Sequence, residues 1–147
     1  PEALKRIDQL NTRNENSKNV FIAMSFDEDM GEVREEIKTA IHNCSYNPII
    51  MDEFQHNKQI VPELLYQIKL SKFVVAEYTN ENRGVYFESG YALGLGKEVI
   101  QVCRKSDNCP NVHFDIKQIN TIIWSDYDEL MNKLTDRIKA TFGTYKA

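Results

Sequence analysis

The sequence predicts one α/β domain: a three-layer sandwich around a mainly parallel, five-stranded sheet. Three observations carry that expectation. Short, mostly apolar runs rich in β-formers recur at Val20 to Ser25, Pro48 to Met51, Phe73 to Ala76, Val99 to Cys103 and Ile119 to Trp124. Runs of this kind suit strands buried on both faces. Apolar residues between them repeat at helical spacing, and strands alternating with helices form βαβ units with parallel pairing. A length of 147 residues, 41% apolar and 27% charged, suits one soluble domain with a real core.

The elements follow in order. Pro1 to Leu10 has weak helical character through Leu4, Ile7 and Leu10, and Asn11 to Asn19 is polar without an apolar residue. Residues 1–18 therefore read as a helix and linker ahead of a domain over 19–147, either a frayed terminus, the plainer reading, or an attachment to a fused N-terminal neighbour. After the first strand, Asp27, Glu28 and Asp29 suit a helix start, and Val33, Ile37, Ala40 and Ile41 give one helical face. The second strand ends at a polar loop, Asp52 to Asn57. A helix over Ile60 to Leu70 places Pro62 in its first turn. The third strand leads through Thr79 to Gly84 into a helix read from Val85 to Leu95, with Gly96 as its stop. Asp126 to Phe142 closes the chain as a helix through Leu130, Leu134 and Ile138. This pattern fits a flavodoxin-like or Rossmann-like sandwich. Gly90, Ala92, Gly94 and Gly96 thin one side of the third helix, which predicts close approach to the sheet or to a second helix.

Charge and cysteines narrow the function. A net charge of −4 argues against a general nucleic-acid surface, which needs clustered cations. One bound nucleotide needs only one or two. No apolar run approaches the length of a membrane span, and no secretory leader pattern is present. Cys44, Cys103 and Cys109 fit neither a zinc cluster nor a disulfide framework, so a reducing cytoplasm is expected. No Walker loop and no GxGxxG follows the first strand, which argues against ATPase chemistry and a dinucleotide site. No cofactor and no metal is implied.

Candidate site residues gather at the carboxyl ends of the strands, where ligands sit in open α/β sheets. Glu88 lies just past the third strand, in the first turn or so of its helix, among Tyr86, Phe87 and Tyr91. The helix N-terminus favours an ionised carboxylate there. The plain alternative is an acid that serves the helix dipole only. Asp52, Glu77 and Glu88 end or follow successive strands, and converging carboxylates suit acid–base or glycosyl chemistry. Ser25 and free backbone N–H groups could hold a phosphate or a sugar hydroxyl. His42 and His113 read as incidental, whereas His56 lies in the Asp52 loop and could reach the rim.

Glu77, Thr79, Asn82, Tyr86, Phe87, Glu88, Gly90, Tyr91, Ala92, Gly96 and Lys97 form a recognisable pattern. It resembles the nucleoside 2-deoxyribosyltransferases and their relatives, the nucleotide N-glycosidases and the Toll/interleukin-1 receptor (TIR)-like NAD-cleaving domains. FIAMSF at Phe21 to Phe26 and HFDIKQINTIIW at His113 to Trp124 support it. The resemblance implies cleavage of an N-glycosidic bond in a nucleoside, nucleotide or NAD, by hydrolysis or (deoxy)ribosyl transfer, with a fused NAD-hydrolase effector as one variant. Glu88 would be the catalytic carboxylate. Glu77 stands where the relatives usually carry a substrate-contacting aspartate, one methylene shorter. Ser25, Phe26, Asp52, Asn82, Arg83 and Tyr86 would bind substrate, with Arg83 suited to a phosphate and Phe26 or Tyr86 to stacking on the base. The resemblance also implies a homo-oligomer. The alternative is a non-catalytic module of the same fold that binds a nucleotide or a partner.

Overall fold

A computed structural model describes residues 15–51, 60–81, 83–105 and 121–147. Its strands are β1 (Asn19–Ala23), β2 (Asn47–Ile49), β3 (Phe73–Glu77), β4 (Val99–Arg104) and β5 (Ile122–Trp124). Its helices are α1 (Gly31–Asn43), α2 (Ile60–Leu70), α3 (Arg83–Gly94) and α4 (Tyr127–Phe142), with short 3-10 turns at Glu28–Met30 and Thr79–Glu81. The sheet runs β2-β1-β3-β4-β5, and every pairing is parallel. This is the flavodoxin-like order, a Rossmann-like α/β sandwich.

Side-chain alternation along the strands builds two cores. Val20, Ile22, Phe73, Val75 and Val102 face α1 and α4, whose stripes are Val33, Ile37 and Ile41 and Leu130, Leu134 and Ile138. Phe21, Ala23, Val74 and Ala76 face Leu64 and Ile68 of α2 and Val85 and Ala92 of α3. All five residues of β3 are buried, because this strand is central and covered on both faces. The edge strand β2 is short and only half-buried, and it tolerates Pro48 because it pairs on one side alone.

Helix ends follow local chemistry. Asp126 caps α4 by accepting the Glu129 N–H at 2.8 Å. Gly96 sits at φ +79°, and Lys97 N donates back to the Ala92 carbonyl at 3.0 Å, closing α3. Several boundaries differ from the sequence reading. The first strand stops at Ala23 and the second at Ile49, α3 starts at Arg83 rather than Val85, the fourth strand runs on to Arg104, and Thr121 lies outside the last strand. The small residues of α3 also divide differently. Ala92 is buried against the sheet, whereas a Cβ at Gly90 or Gly94 would meet no atom within 4 Å. Those two glycines face open space and thin nothing within the described chain. Cys44 is a buried free thiol, but the Cys103 sulfur is disulfide-bonded, a link that the uneven cysteine spacing did not suggest. Among the described residues no helix is long and apolar enough to cross a membrane. The expected helix before residue 15 and the loops carrying Asp52 and Cys109 lie outside the described residues.

Candidate active site at the carboxyl edge of the sheet

The strand order reverses between β1 and β3, since β1 leads outward to β2 and β3 leads the other way to β4. In sheets of this kind the usual ligand position is a crevice between the loops that follow those two strands.

The β1–α1 loop supplies one wall. Ser25 is buried, and its Oγ accepts the Asp27 N–H at 3.1 Å, which turns the chain. Phe26 is half-buried, with the Arg34 guanidinium 4.6 Å from its ring centroid. Arg34 also reaches the Ser25 carbonyl, with Nη2 at 3.5 Å. Its Nε is buried and has no hydrogen-bond partner. A buried guanidinium nitrogen left unbonded is uncommon, because desolvation is not offset. Arg34 is not among the residues that the sequence singles out. One signal was present: a cation in the first turn of a helix opposes the dipole.

The β3–α3 loop supplies the other wall. Asn80 adopts φ 71°, a left-handed conformation that asparagine tolerates. Its Nδ2 donates to Asp27 Oδ2 at 3.3 Å, which joins the two loops across the crevice mouth. Arg83 opens α3 and is exposed.

Glu88 is the central feature. The buried residues of α3 are Val85, Glu88, Ser89 and Ala92, the spacing of a sheet-facing stripe. A carboxylate therefore occupies a position where a plain core helix carries an apolar residue, at 6% exposure. It lies in the second turn, so it is further from the helix N-terminus than the sequence reading placed it. The strand surface beneath α3 ends in Ala23 paired with Ala76, which leaves more room at the rim than the Phe21–Val74 pair deeper in the sheet. Tyr78 lines the same face. Its ring lies 5.1 Å from that of Tyr86, its hydroxyl meets Ser89, and burial pushes its pKa up.

Glu77 is placed differently. It follows Phe73 and Val75 in the alternation, so it points towards the α1/α4 side, opposite to Glu88. It is completely buried. Trp124 Nε1 donates to its Oε2 at 2.9 Å, and the Thr79 backbone N–H donates to its Oε1. Burial raises its pKa, against the opposing pull of Thr79, Trp124 and the Arg104 guanidinium. Lys97, which closes the sequence pattern, lies at the opposite edge of the sheet. Its Nζ donates to the Ser71 carbonyl at 2.6 Å, and burial lowers its pKa.

Of the residues chosen from sequence, Ser25, Phe26, Tyr86 and Glu88 thus belong to elements that flank the crevice. Glu77 shares the edge but not the face. Asp52, His56 and Asn82 lie outside the described residues. Among the described residues no group of three or more His, Cys, Asp or Glu could hold a metal ion.

Neither a protein-family model nor a curated protein matches the sequence. Solved structures do match in fold. One is the CMP N-glycosidase BcmB of Clostridium botulinum, with a TM-score of 0.62 at 18% identity over 81% of this chain and 98% of that one. Another is a de novo designed Rossmann 2x3 protein, with a TM-score of 0.54 at 14% identity over 90% and 96% of the two chains. A designed protein and an enzyme share this architecture, so the fold by itself carries no activity.

Proposed function

We propose that this chain cleaves the N-glycosidic bond of a nucleotide, with Glu88 as the carboxylate at the anomeric carbon. The observation that carries the reading is a buried acid, Glu88, in the sheet-facing stripe of α3, the helix that packs on β1 and β3, the two strands between which the order reverses. The fold likeness to a CMP N-glycosidase supports it and favours a nucleoside monophosphate as substrate.

The chemistry needs little machinery. The C1′–N bond breaks with its electron pair leaving on the base, which takes up a proton. The ring oxygen donates a lone pair to C1′ and gives an oxocarbenium-like centre. Glu88 stabilises that cation or bonds to it, as carboxylates do at glycosidic centres. Water then adds at C1′ and loses a proton, leaving a sugar hydroxyl. Phe26 or Tyr86 offers an aromatic surface to the base. Arg34, whose guanidinium lies beside Ser25 and Phe26, offers a charge-assisted donor to the phosphate.

Base release, followed by chromatography across nucleosides, nucleoside monophosphates and NAD, tests the reading. Glu88→Gln is expected to reduce release by about a hundredfold or more, the scale of losing a positioned catalytic group. Release that survives Glu88→Gln at the wild-type rate would sink the mechanism.

One observation favours a second reading, a nucleotide-binding module without turnover. The acid that the resemblance aims at the substrate, Glu77, faces into the opposite core. Calorimetric binding of a nucleoside monophosphate with no base released over hours would select that reading.

A further inference from the structure

We infer that Glu77 is a positioning residue: its buried carboxylate ties the β3–α3 loop to β5, and so sets the start of the helix that carries Glu88. This rests on the reading of Glu88 as the catalytic acid.

Glu77 collects donors from two elements. The Thr79 backbone N–H and hydroxyl come from the β3–α3 loop, and the Trp124 indole N–H comes from β5. Both carboxyl oxygens accept, Oε1 from Thr79 and Oε2 from Trp124, which an amide cannot match without turning its NH2 towards one of those donors. Asparagine or aspartate would be one methylene shorter. Thr79 passes the constraint on. Its Oγ1 accepts the Arg104 backbone N–H of β4 at 2.9 Å, and the Arg104 guanidinium lies 4.9 Å from the centroid of the Trp124 ring. The next residue is Asn80, at positive φ, which bonds Asp27 across the crevice. Three residues after Asn80, α3 begins. A continuous chain of contacts therefore runs from Trp124 through Glu77, Thr79 and Asn80 to the β1–α1 loop, and it frames the amino end of the Glu88 helix. Displacements of about 1 Å at a reacting group can change rates about a hundredfold, so such a frame matters to turnover.

Trp124 is the single tryptophan of the chain, and its indole N–H is one of the donors. Its side-chain resonance in nitrogen-labelled protein therefore reads the tie directly, and hydrogen exchange at the Thr79 amide reads the other end. Glu77→Gln is expected to shift the indole resonance and to speed Thr79 exchange about tenfold or more, by opening that bond. In the same variant kcat for a nucleoside monophosphate should fall about tenfold or more, with KM nearly unchanged. Thr79→Ser, which keeps both donors, should match the wild type in every readout.

Unchanged Thr79 protection with unchanged kcat in Glu77→Gln overturns the inference. A change in KM that depends on the base, with Thr79 still protected, overturns it too, since Glu77 would then be touching substrate. Should Glu77→Gln not fold, Trp124→Phe takes its place, and unchanged kcat with unchanged Thr79 protection is again the refuting result. If the wild type releases base from no substrate, the glycosidase reading falls separately, and the two resonance readouts still decide whether the tie exists.

Discussion

The contact between Glu77 and Trp124 can be weighed by a thermodynamic cycle on stability. Both side chains are essentially sealed from water, and they meet at 2.9 Å. Trp124→Phe deletes the indole donor and part of the ring. It should destabilise by about 2–4 kcal/mol, combining an unpaired buried acceptor with lost packing. Glu77→Met keeps the side chain's length but orphans the Trp124 indole N–H and the Thr79 amide, for a loss of about 2–3 kcal/mol. The double variant removes the indole donor and its acceptor together. It leaves an apolar contact, and such replacements of buried polar pairs are often nearly neutral. It should therefore be more stable than the sum of the single losses by about 1–2 kcal/mol. Urea unfolding followed by circular dichroism is the assay, because Trp124→Phe removes the only tryptophan. Losses that add within about 0.5 kcal/mol would show that the two groups do not act on each other, and the reasoning would fail.

Three further outcomes are expected. Glu77 has a raised pKa, so the folded state holds its proton over a range where the unfolded chain has lost it. Its contribution is full below the ordinary carboxylate range and is lost as pH rises through the folded value. The Arg104 guanidinium, the Thr79 groups and the Trp124 indole face it and limit that loss. The stability advantage of wild type over Glu77→Gln should thus shrink from acid towards neutral pH in parallel unfolding titrations. Arg34→Met should lower kcat/KM for a nucleoside monophosphate by about 10–100-fold, the worth of one or two charge-assisted bonds, and leave the matching nucleoside unaffected. Gly96→Ala places a Cβ in a left-handed turn at φ +79° and should cost about 1–2 kcal/mol, read as a fall of a few degrees in Tm by calorimetry.

Much of the architecture was legible because each element carries its own period. The stripe Val33, Ile37 and Ile41 and the run Phe73 to Ala76 declare helix and strand locally, and the carboxyl end of the helix at Leu70 was read correctly. Glu88 stood out in the sequence as an acid among aromatics just past a strand, but its burial in the sheet-facing stripe did not. Arg34 did not stand out, because an arginine on a helix surface is ordinary until a loop folds over it. Its unpaired Nε appears only once Ser25 and Phe26 lie against it. Glu77 was legible as an acid at a strand end but not as to its face. That depends on how the strand sits between two helical layers.

The local code of this chain was enough to determine which segments are strands and helices, and that the strands are parallel. Both follow from residue spacing and from the alternation of element types. Tertiary structure decided which side of the sheet each acid occupies. It sent Glu77 to Trp124 and buried Glu88 on the other face, in the sheet-facing stripe of α3. The reason is that the direction of a side chain belongs to the packed layers, and residues 47 positions apart in sequence meet only when β3, β4 and β5 stand side by side.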